Sequence, residues 1–290
     1  MRVLMGTALA VIMLLCTLDA FAAQEFTPGS DEVIGTVNHY LVKQGDSLIE
    51  LARTYGLGYN EITDANPGTD PFIPRTGAGI RLPMSWVLPS VPKNTGIVIN
   101  LSEMRLYFFP SCNTKSVVTF PIGIGDEGSE TPVGSFLVTE KKLDPAWKVP
   151  ASIRSEQPNL PRVVPPGPDN PLGTHALRLS RGSLLIHGTN KPWGVGRRAS
   201  HGCIRLYPED ISKLYGLTPK GTRVVIVRQP VKIGGKNGRV FLEVHRGENM
   251  DYQKEAIRLI KTRKDLSRID MSKVLRVLRE MSGMPEDVSR

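Results

Sequence analysis

The first pattern along the chain is an almost unbroken apolar run, Val3 to Leu18, with Arg2 before it and Ala20-Phe21-Ala22 after it. A basic start, a short apolar stretch and small residues at its end describe a cleaved secretory signal over residues 1–22. The run is short for a membrane span and has no charged stop behind it. The mature chain is therefore expected to carry no stable span.

From residue 38 the pattern changes to short alternating and helical segments. His39-Tyr40-Leu41-Val42 reads as a strand. Gly45-Asp46-Ser47 turns into a helix, with Ser47 as N-cap, Glu50 at capping-box spacing and Gly56 as the stop. Leu48, Ile49, Leu51 and Ala52 supply its apolar face. A second helix fits residues 59–65, Asn66-Pro67-Gly68 breaks it, and Gly79-Ile80-Arg81-Leu82 returns as a strand. Residues 38–84 thus form a small α+β unit of βααβ order. Pro89 and Pro92 mark a semi-rigid linker after it.

Residues 94–230 read as a second, β-rich unit. Apolar runs at 96–101, 105–109, 117–124, 134–139, 176–179, 184–187 and 223–227 have strand length and strand composition. Residues 208–217 form one clear helix, with Pro208 in its first turn. Many short strands and one helix predict a mostly β domain, a β-sandwich or partly closed barrel. The insert at 142–173 is so rich in proline that an ordered loop shaping a site is expected there, without regular structure. Residues 231–290 predict a C-terminal extension: a ribbon turning at Gly-Gly-Lys-Asn-Gly, then two amphipathic helices. In the second helix Met271, Val274, Leu275, Leu278 and Met281 form a packing stripe.

Composition adds a constraint. Lys+Arg 37 against Asp+Glu 28 gives +9 at pH 7. That surplus suits an anionic partner such as a wall polymer. No basic cluster interleaved with aromatics supports nucleic-acid binding. Removing the signal leaves Cys112 and Cys203, too few for a disulfide scaffold. Cys112 falls in the turn Pro110-Ser111-Cys112-Asn113 and reads as an inert thiol.

The candidate chemistry lies in Ile186-His187-Gly188-Thr189-Asn190 and Ser200-His201-Gly202-Cys203-Ile204-Arg205-Leu206. A reactive thiol needs a nearby base or positive charge, because the free thiol is mostly protonated near neutrality. His201 is two residues from Cys203, too close to aim at its sulfur in an extended segment. His187, fixed at the end of an apolar strand, is assigned as the general base. Gly202 lets backbone approach a substrate, and the N–H groups of Gly202 and Cys203 are candidate oxyanion donors. His187, His201 and Cys203 could in principle hold zinc. No C-x-x-C or H-E-x-x-H accompanies them, so no metal and no cofactor are expected.

Two resemblances extend this reading. Tyr40-Leu41-Val42-Lys43-Gln44-Gly45-Asp46-Ser47-Leu48 with Ala65-Asn66-Pro67 resembles a LysM module, which implies binding of N-acetylglucosamine-containing glycan, including the peptidoglycan strand. The His187 and Cys203 motifs, with Thr131-Pro132-Val133-Gly134-Ser135-Phe136 and the insert, resemble the L,D-transpeptidases of YkuD type, in the LysM-first arrangement of Gram-negative periplasmic enzymes. That resemblance implies a Cys203 nucleophile, His187 as proton acceptor and donor, and the Gly188 carbonyl orienting its imidazole. It also implies a pocket shaped by Ser200, His201 and Gly202. Arg205 would contact a substrate carboxylate or lock the turn in an ion pair. The implied substrates are peptidoglycan stem peptides, with an outer-membrane lipoprotein as a further acceptor. The alternatives are an L,D-carboxypeptidase or thiol amidase on the same substrate, and a non-catalytic peptidoglycan-binding protein.

Overall fold

A computed structural model of the chain describes residues 24–290 apart from 28, 30, 111–115, 264 and 265. The signal segment and Cys112 lie outside the described residues. Among them, no helix is long and apolar enough to cross a membrane.

The dominant element is one mixed sheet of nine strands. Its order is Gln24–Phe26, Val117–Pro121, Arg105–Phe109, Gly96–Asn100, Arg223–Val227, Gly134–Leu143, His175–Leu179, Leu185–His187 and Ile204–Arg205. The pairings of Gly96–Asn100 with Arg223–Val227 and of Leu185–His187 with Ile204–Arg205 are parallel; the others are antiparallel.

Continuous apolar runs in the central strands have a direct cause: both faces are covered. Ile97, Ile99, Leu106, Phe108, Val118 and Phe120 enter the core beneath the sheet, with Ile211 and Leu214. The alternate residues Val98, Tyr107, Phe109 and Val117 enter a second core on the other face.

That second core is shared with the small N-terminal unit. Its helices are α1 (Leu48–Thr54) and α2 (Tyr59–Ala65), and its strands Asn38–Leu41 and Gly79–Leu82 pair antiparallel. Ser47 Oγ accepts from the Glu50 N–H at 3.2 Å, as a cap should. Leu48, Leu57, Ile62 and Trp86 then share one core with Val98, Tyr107 and Phe109. Ser85–Val87 pairs with Val33–Gly35, and the linker after it is tied in as well: Ser90 N–H donates to Gln229 Oε1 at 2.9 Å and Gln229 Nε2 donates to Ser90 O at 2.7 Å.

The proline-rich insert departs from expectation. It contains a paired ribbon, Trp147–Lys148 with Val163–Val164, and helix α3 (Ala151–Glu156). Pro150 stands at the N-cap of α3, where its fixed φ and missing N–H cost nothing. Asn170 Nδ2 donates to Pro145 O at 2.8 Å and holds the two ends of the insert together.

Helix α4 (Pro208–Leu217) follows the cysteine motif as its sequence implied. Beyond it, strands Val231–Lys236 and Arg239–Val244 pair, with Asn237 and Gly238 at positive φ in the turn. The turn is tighter than the sequence suggested, because Gly234 and Gly235 sit inside a strand. A Cβ on Gly234 would lie 2.9 Å from a Val87 methyl. Helices α5 (Tyr252–Lys261) and α6 (Met271–Glu280) pack on this ribbon through Ala256, Ile260, Val274 and Val277.

Candidate active site

Strand Leu185–His187 pairs in parallel with Ile204–Arg205, with His187 opposite Arg205. Partners in register project to the same face, as do residues two apart on one strand. His187, Arg205, Leu185 and Cys203 therefore stand on one face of the sheet edge. That face borders a cavity of about 790 Å³ lined by His187, Ser200, His201, Cys203 and Arg205 among others. Gly188 and Gly202 do not line it and contribute backbone only.

The His187 ring is buried, and its Nδ1 lies 2.6 Å from Gly188 O. A carbonyl can only accept, so Nδ1 carries the proton and Nε2 keeps its lone pair. Burial, then the charge on Arg205, lowers this imidazole to about 4, against the pull of the Gly188 and Leu172 carbonyls. It is neutral near pH 7. Burial pushes the Cys203 thiol up, opposed by a hydrogen bond from Leu185 and the charges of Arg205 and Arg178. The resting pair is thus a neutral thiol and a neutral base. The thiol donates to Ser183 O at 3.8 Å rather than to the imidazole.

The cysteine turn is braced from two sides. Ser200 Oγ donates to Cys203 O at 2.6 Å. Thr131 Oγ1 donates to Gly202 O and accepts from the Gly125 N–H, both at 2.9 Å. Gly202 has φ +96°, in the region that favours glycine. The N–H groups of Gly202 and Cys203 lie outside the strand ladder and meet no acceptor among the described residues. The sequence motif assigns Thr131 no role of its own; nothing local places it against Gly202, 71 positions away.

His201 turns toward the insert, with Nε2 3.0 Å from Glu156 Oε2 at the end of α3. It lines the cavity and joins its wall. Arg205 forms no ion pair with any described carboxylate, and its Nε is buried without an acceptor. The turn-locking alternative for Arg205 is therefore not what the structure contains.

Among the described residues, the one cluster with metal-ligand spacing is Glu103, Glu243 and His245, far in sequence from the thiol motif. Lys232 Nζ already lies 2.7 Å from Glu103 Oε2 and from Glu243 Oε1. Burial works against ionisation of Glu243, but Lys232 and then His245 hold its carboxyl below the usual range. Val87 N–H also donates to Glu243, so this knot joins the C-terminal ribbon to the strand Ser85–Val87.

The L,D-transpeptidase catalytic domain model (YkuD) matches residues 94–226, and the LysM domain model matches residues 40–83. The chain is 38% identical over 280 residues to YcfS of Escherichia coli K12, named a probable L,D-transpeptidase, covering 91% of this chain and 87% of that one. It is 39% identical over 253 residues to YbiS of the same strain, also named a probable L,D-transpeptidase, covering 84% and 81%. The NMR structure of the catalytic domain of the Enterococcus faecium L,D-transpeptidase is 23% identical, with a TM-score of 0.37, over 47% of this chain and 99% of that one.

Proposed function

Because the chain belongs to the L,D-transpeptidase family, we propose that Cys203 is acylated by the third residue of a peptidoglycan tetrapeptide stem and passes that acyl group to an amine. The observation that carries this reading is the His187–Gly188 hydrogen bond, which leaves Nε2 as a free base on the face shared with Cys203.

The steps follow from that geometry. The thiol turns from Ser183 O toward Nε2, which takes its proton. The thiolate adds to the stem carbonyl, and the oxyanion accepts from the Gly202 and Cys203 N–H groups. The C–N bond to D-Ala then breaks, and His187 returns the proton to the departing amine. A thioester on Cys203 remains. The side-chain amine of a second stem's diaminopimelate attacks it, giving a cross-link between third residues. Water gives L,D-carboxypeptidation, and a lipoprotein lysine gives attachment of that protein to the wall.

Arg205, beside the thiol and without a carboxylate partner, suits a substrate carboxylate. Ser200 holds the turn, His201 its wall. The LysM unit at residues 38–84 would hold the glycan strand, raising the local concentration of stems at the domain of residues 94–230. The apolar segment at residues 1–22 and the family together support export to the periplasm.

The test is incubation with a disaccharide-tetrapeptide, followed by mass spectrometry. Loss of D-Ala and formation of a dimer, both abolished in Cys203→Ala, are expected. A Cys203→Ala protein of unchanged activity would refute the mechanism. Retention on sacculi without turnover would favour a binding protein.

A further inference from the structure

The segment leading to the cysteine turn meets the N-terminal unit along a narrow seam. Pro192–Gly194 forms a 3-10 turn that runs on through Val195, Gly196 and Arg197 into strand Arg198–Ser200. Facing it is the start of α2. The N-cap of α2 is Gly58, which has no side chain to satisfy the first helical amides. Carbonyls of the catalytic segment do so instead. Tyr59 N–H donates to Val195 O and Asn60 N–H donates to Gly196 O, each at 3.3 Å. Gly196, at φ +76°, permits this approach; a Cβ there would lie 2.1 Å from Tyr59 N.

Arg197 comes next and lies over the Tyr59 ring, its guanidinium carbon 3.7 Å from the centroid. Stacking of this kind sets the plane of a guanidinium while leaving its N–H edge available. The Arg197 Nε is buried without an acceptor, and no described carboxylate pairs with the side chain. Arg197 lines the same cavity as Cys203. A partly buried cation with unused donors is costly, and a bidentate carboxylate would remove that cost.

The cavity's charge balance agrees. Seven Lys and Arg side chains line it against one acid, Asp169. Arg178 and Lys142 share the carboxylate of Glu140, and Arg198 lies 3.8 Å from Glu248. Arg197 has no such neighbour.

We propose, resting on the stem-peptide reading of the cavity, that Arg197 is a carboxylate-binding residue for the peptide substrate and that Tyr59, from the other unit, is its positioning residue. The LysM-like unit is then part of the wall of the acyl-transfer site as well as a glycan tether. The carboxylate is that of the terminal D-Ala or that of the diaminopimelate side chain; both offer the same fork to a guanidinium.

The test uses the full chain with a disaccharide-tetrapeptide and with two forms of it, each amidated at one of those carboxylates. Arg197→Met should raise KM about tenfold or more, with kcat at saturation within about twofold, since a bidentate pair lost in ground and transition states alike changes binding only. One of the two amides should cost the wild type a similar factor and cost Arg197→Met nothing further; that amide identifies the carboxylate. Arg197→Lys should recover part of the loss. Tyr59→Ala should raise KM severalfold for the acid and not for that amide, and Tyr59→Phe, which keeps the ring, should restore it. Equal losses on the acid and both amides in Arg197→Met would overturn the subsite. A Tyr59→Ala loss indifferent to amidation would overturn the positioning role. Calorimetric binding of the same three peptides to Cys203→Ala, with and without Arg197→Met, gives the same discrimination without turnover. Carboxylate selectivity there in a protein that never forms a Cys203 adduct would separate failure of the acyl-transfer reading from failure of this one.

Discussion

Arg105 on the catalytic sheet and Glu61 on α2 form a bidentate ion pair sealed from solvent. Arg105 Nε to Glu61 Oε1 and Nη2 to Oε2 are both 2.7 Å, and the side chains are 0% and 3% exposed. Trp86 Nε1 and the Gly58 N–H donate to the same carboxylate at 2.8 and 2.6 Å, and Arg105 Nη2 also donates to Gly56 O. With Arg105 Nη1 donating to Thr119 Oγ1, every nitrogen of the guanidinium and both carboxylate oxygens have a partner, which is the condition for a buried pair to be tolerated.

Breaking one partner leaves the other charge buried. Glu61→Ala is expected to cost about 3–5 kcal/mol, and an apolar replacement of both partners much less. Urea unfolding followed by Trp fluorescence measures both. The wild type should unfold in one transition, since Trp86 and Tyr107 belong to one core. Two well-separated transitions would contradict the shared core.

His187 links stability to pH. Its folded value is about 4 against an ordinary 6.5, chiefly through burial. Above pH 6.5 it is neutral folded and unfolded and contributes nothing. As pH falls from 6.5 to 4 the unfolded chain takes the proton and the folded one does not, so stability is lost across that window. The shift corresponds to about 3 kcal/mol. Unfolding free energies of wild type and His187→Gln from pH 7.5 to 4 should diverge by that order, with the wild type losing more.

The same neutrality shapes the rate profile. With the imidazole lowered and the thiol raised, the resting protonation state holds from about pH 5 to 8. kcat/KM for D-Ala release should be flat there. An acid limb centred near 6.5 would mean that His187 titrates as an exposed histidine does.

Thr131 braces the cysteine turn through Gly202 O. Thr131→Val removes the hydroxyl at nearly constant volume and frees the turn, and a misplaced turn of this kind costs about ten- to a hundredfold in kcat/KM. Thr131→Ser keeps the hydroxyl and should retain most activity. Single-turnover acylation of Cys203 separates the two.

Gly196 tests the seam. Gly196→Ala places a methyl against the backbone of Tyr59 at a φ that disfavours side chains. A loss of about 2–4 kcal/mol is expected from strain and overpacking, read as a lower thermal transition. Gly216, which has open space around it, is the control: Gly216→Ala should leave the transition unchanged or raise it.

Much of this was legible in the sequence because local signals and tertiary structure agree. Arg105–Phe109, Arg223–Val227, Tyr59–Ala65 and Pro208–Leu217 have the bounds that their apolar spacing and caps imply. The placing of His187 at the end of an apolar strand is legible in Leu184-Leu185-Ile186, but the parallel pairing that sets it on one face with Cys203 is not. The run at 117–124 has strand composition throughout but forms two strands, Val117–Pro121 and Ile124–Gly125, because Gly123 turns away to exchange hydrogen bonds with Arg205. The insert was expected to lack regular structure, yet its prolines sit at a helix N-cap and in turns, where they are harmless. What no local pattern could carry is pairing across distance: Glu61 with Arg105, Tyr59 with Arg197, Thr131 with Gly202, Glu156 with His201. Each joins residues whose own neighbourhoods call for nothing unusual.

The central claim is covalent, and intact-protein mass spectrometry reads it most directly. Mixed with excess disaccharide-tetrapeptide and quenched in acid, the protein should gain the mass of the disaccharide-tetrapeptide less D-Ala. Peptide mapping should place that mass on Cys203, and both Cys203→Ala and His187→Gln should lack it. Continued release of D-Ala with no adduct, or with the adduct on another residue, would contradict the account.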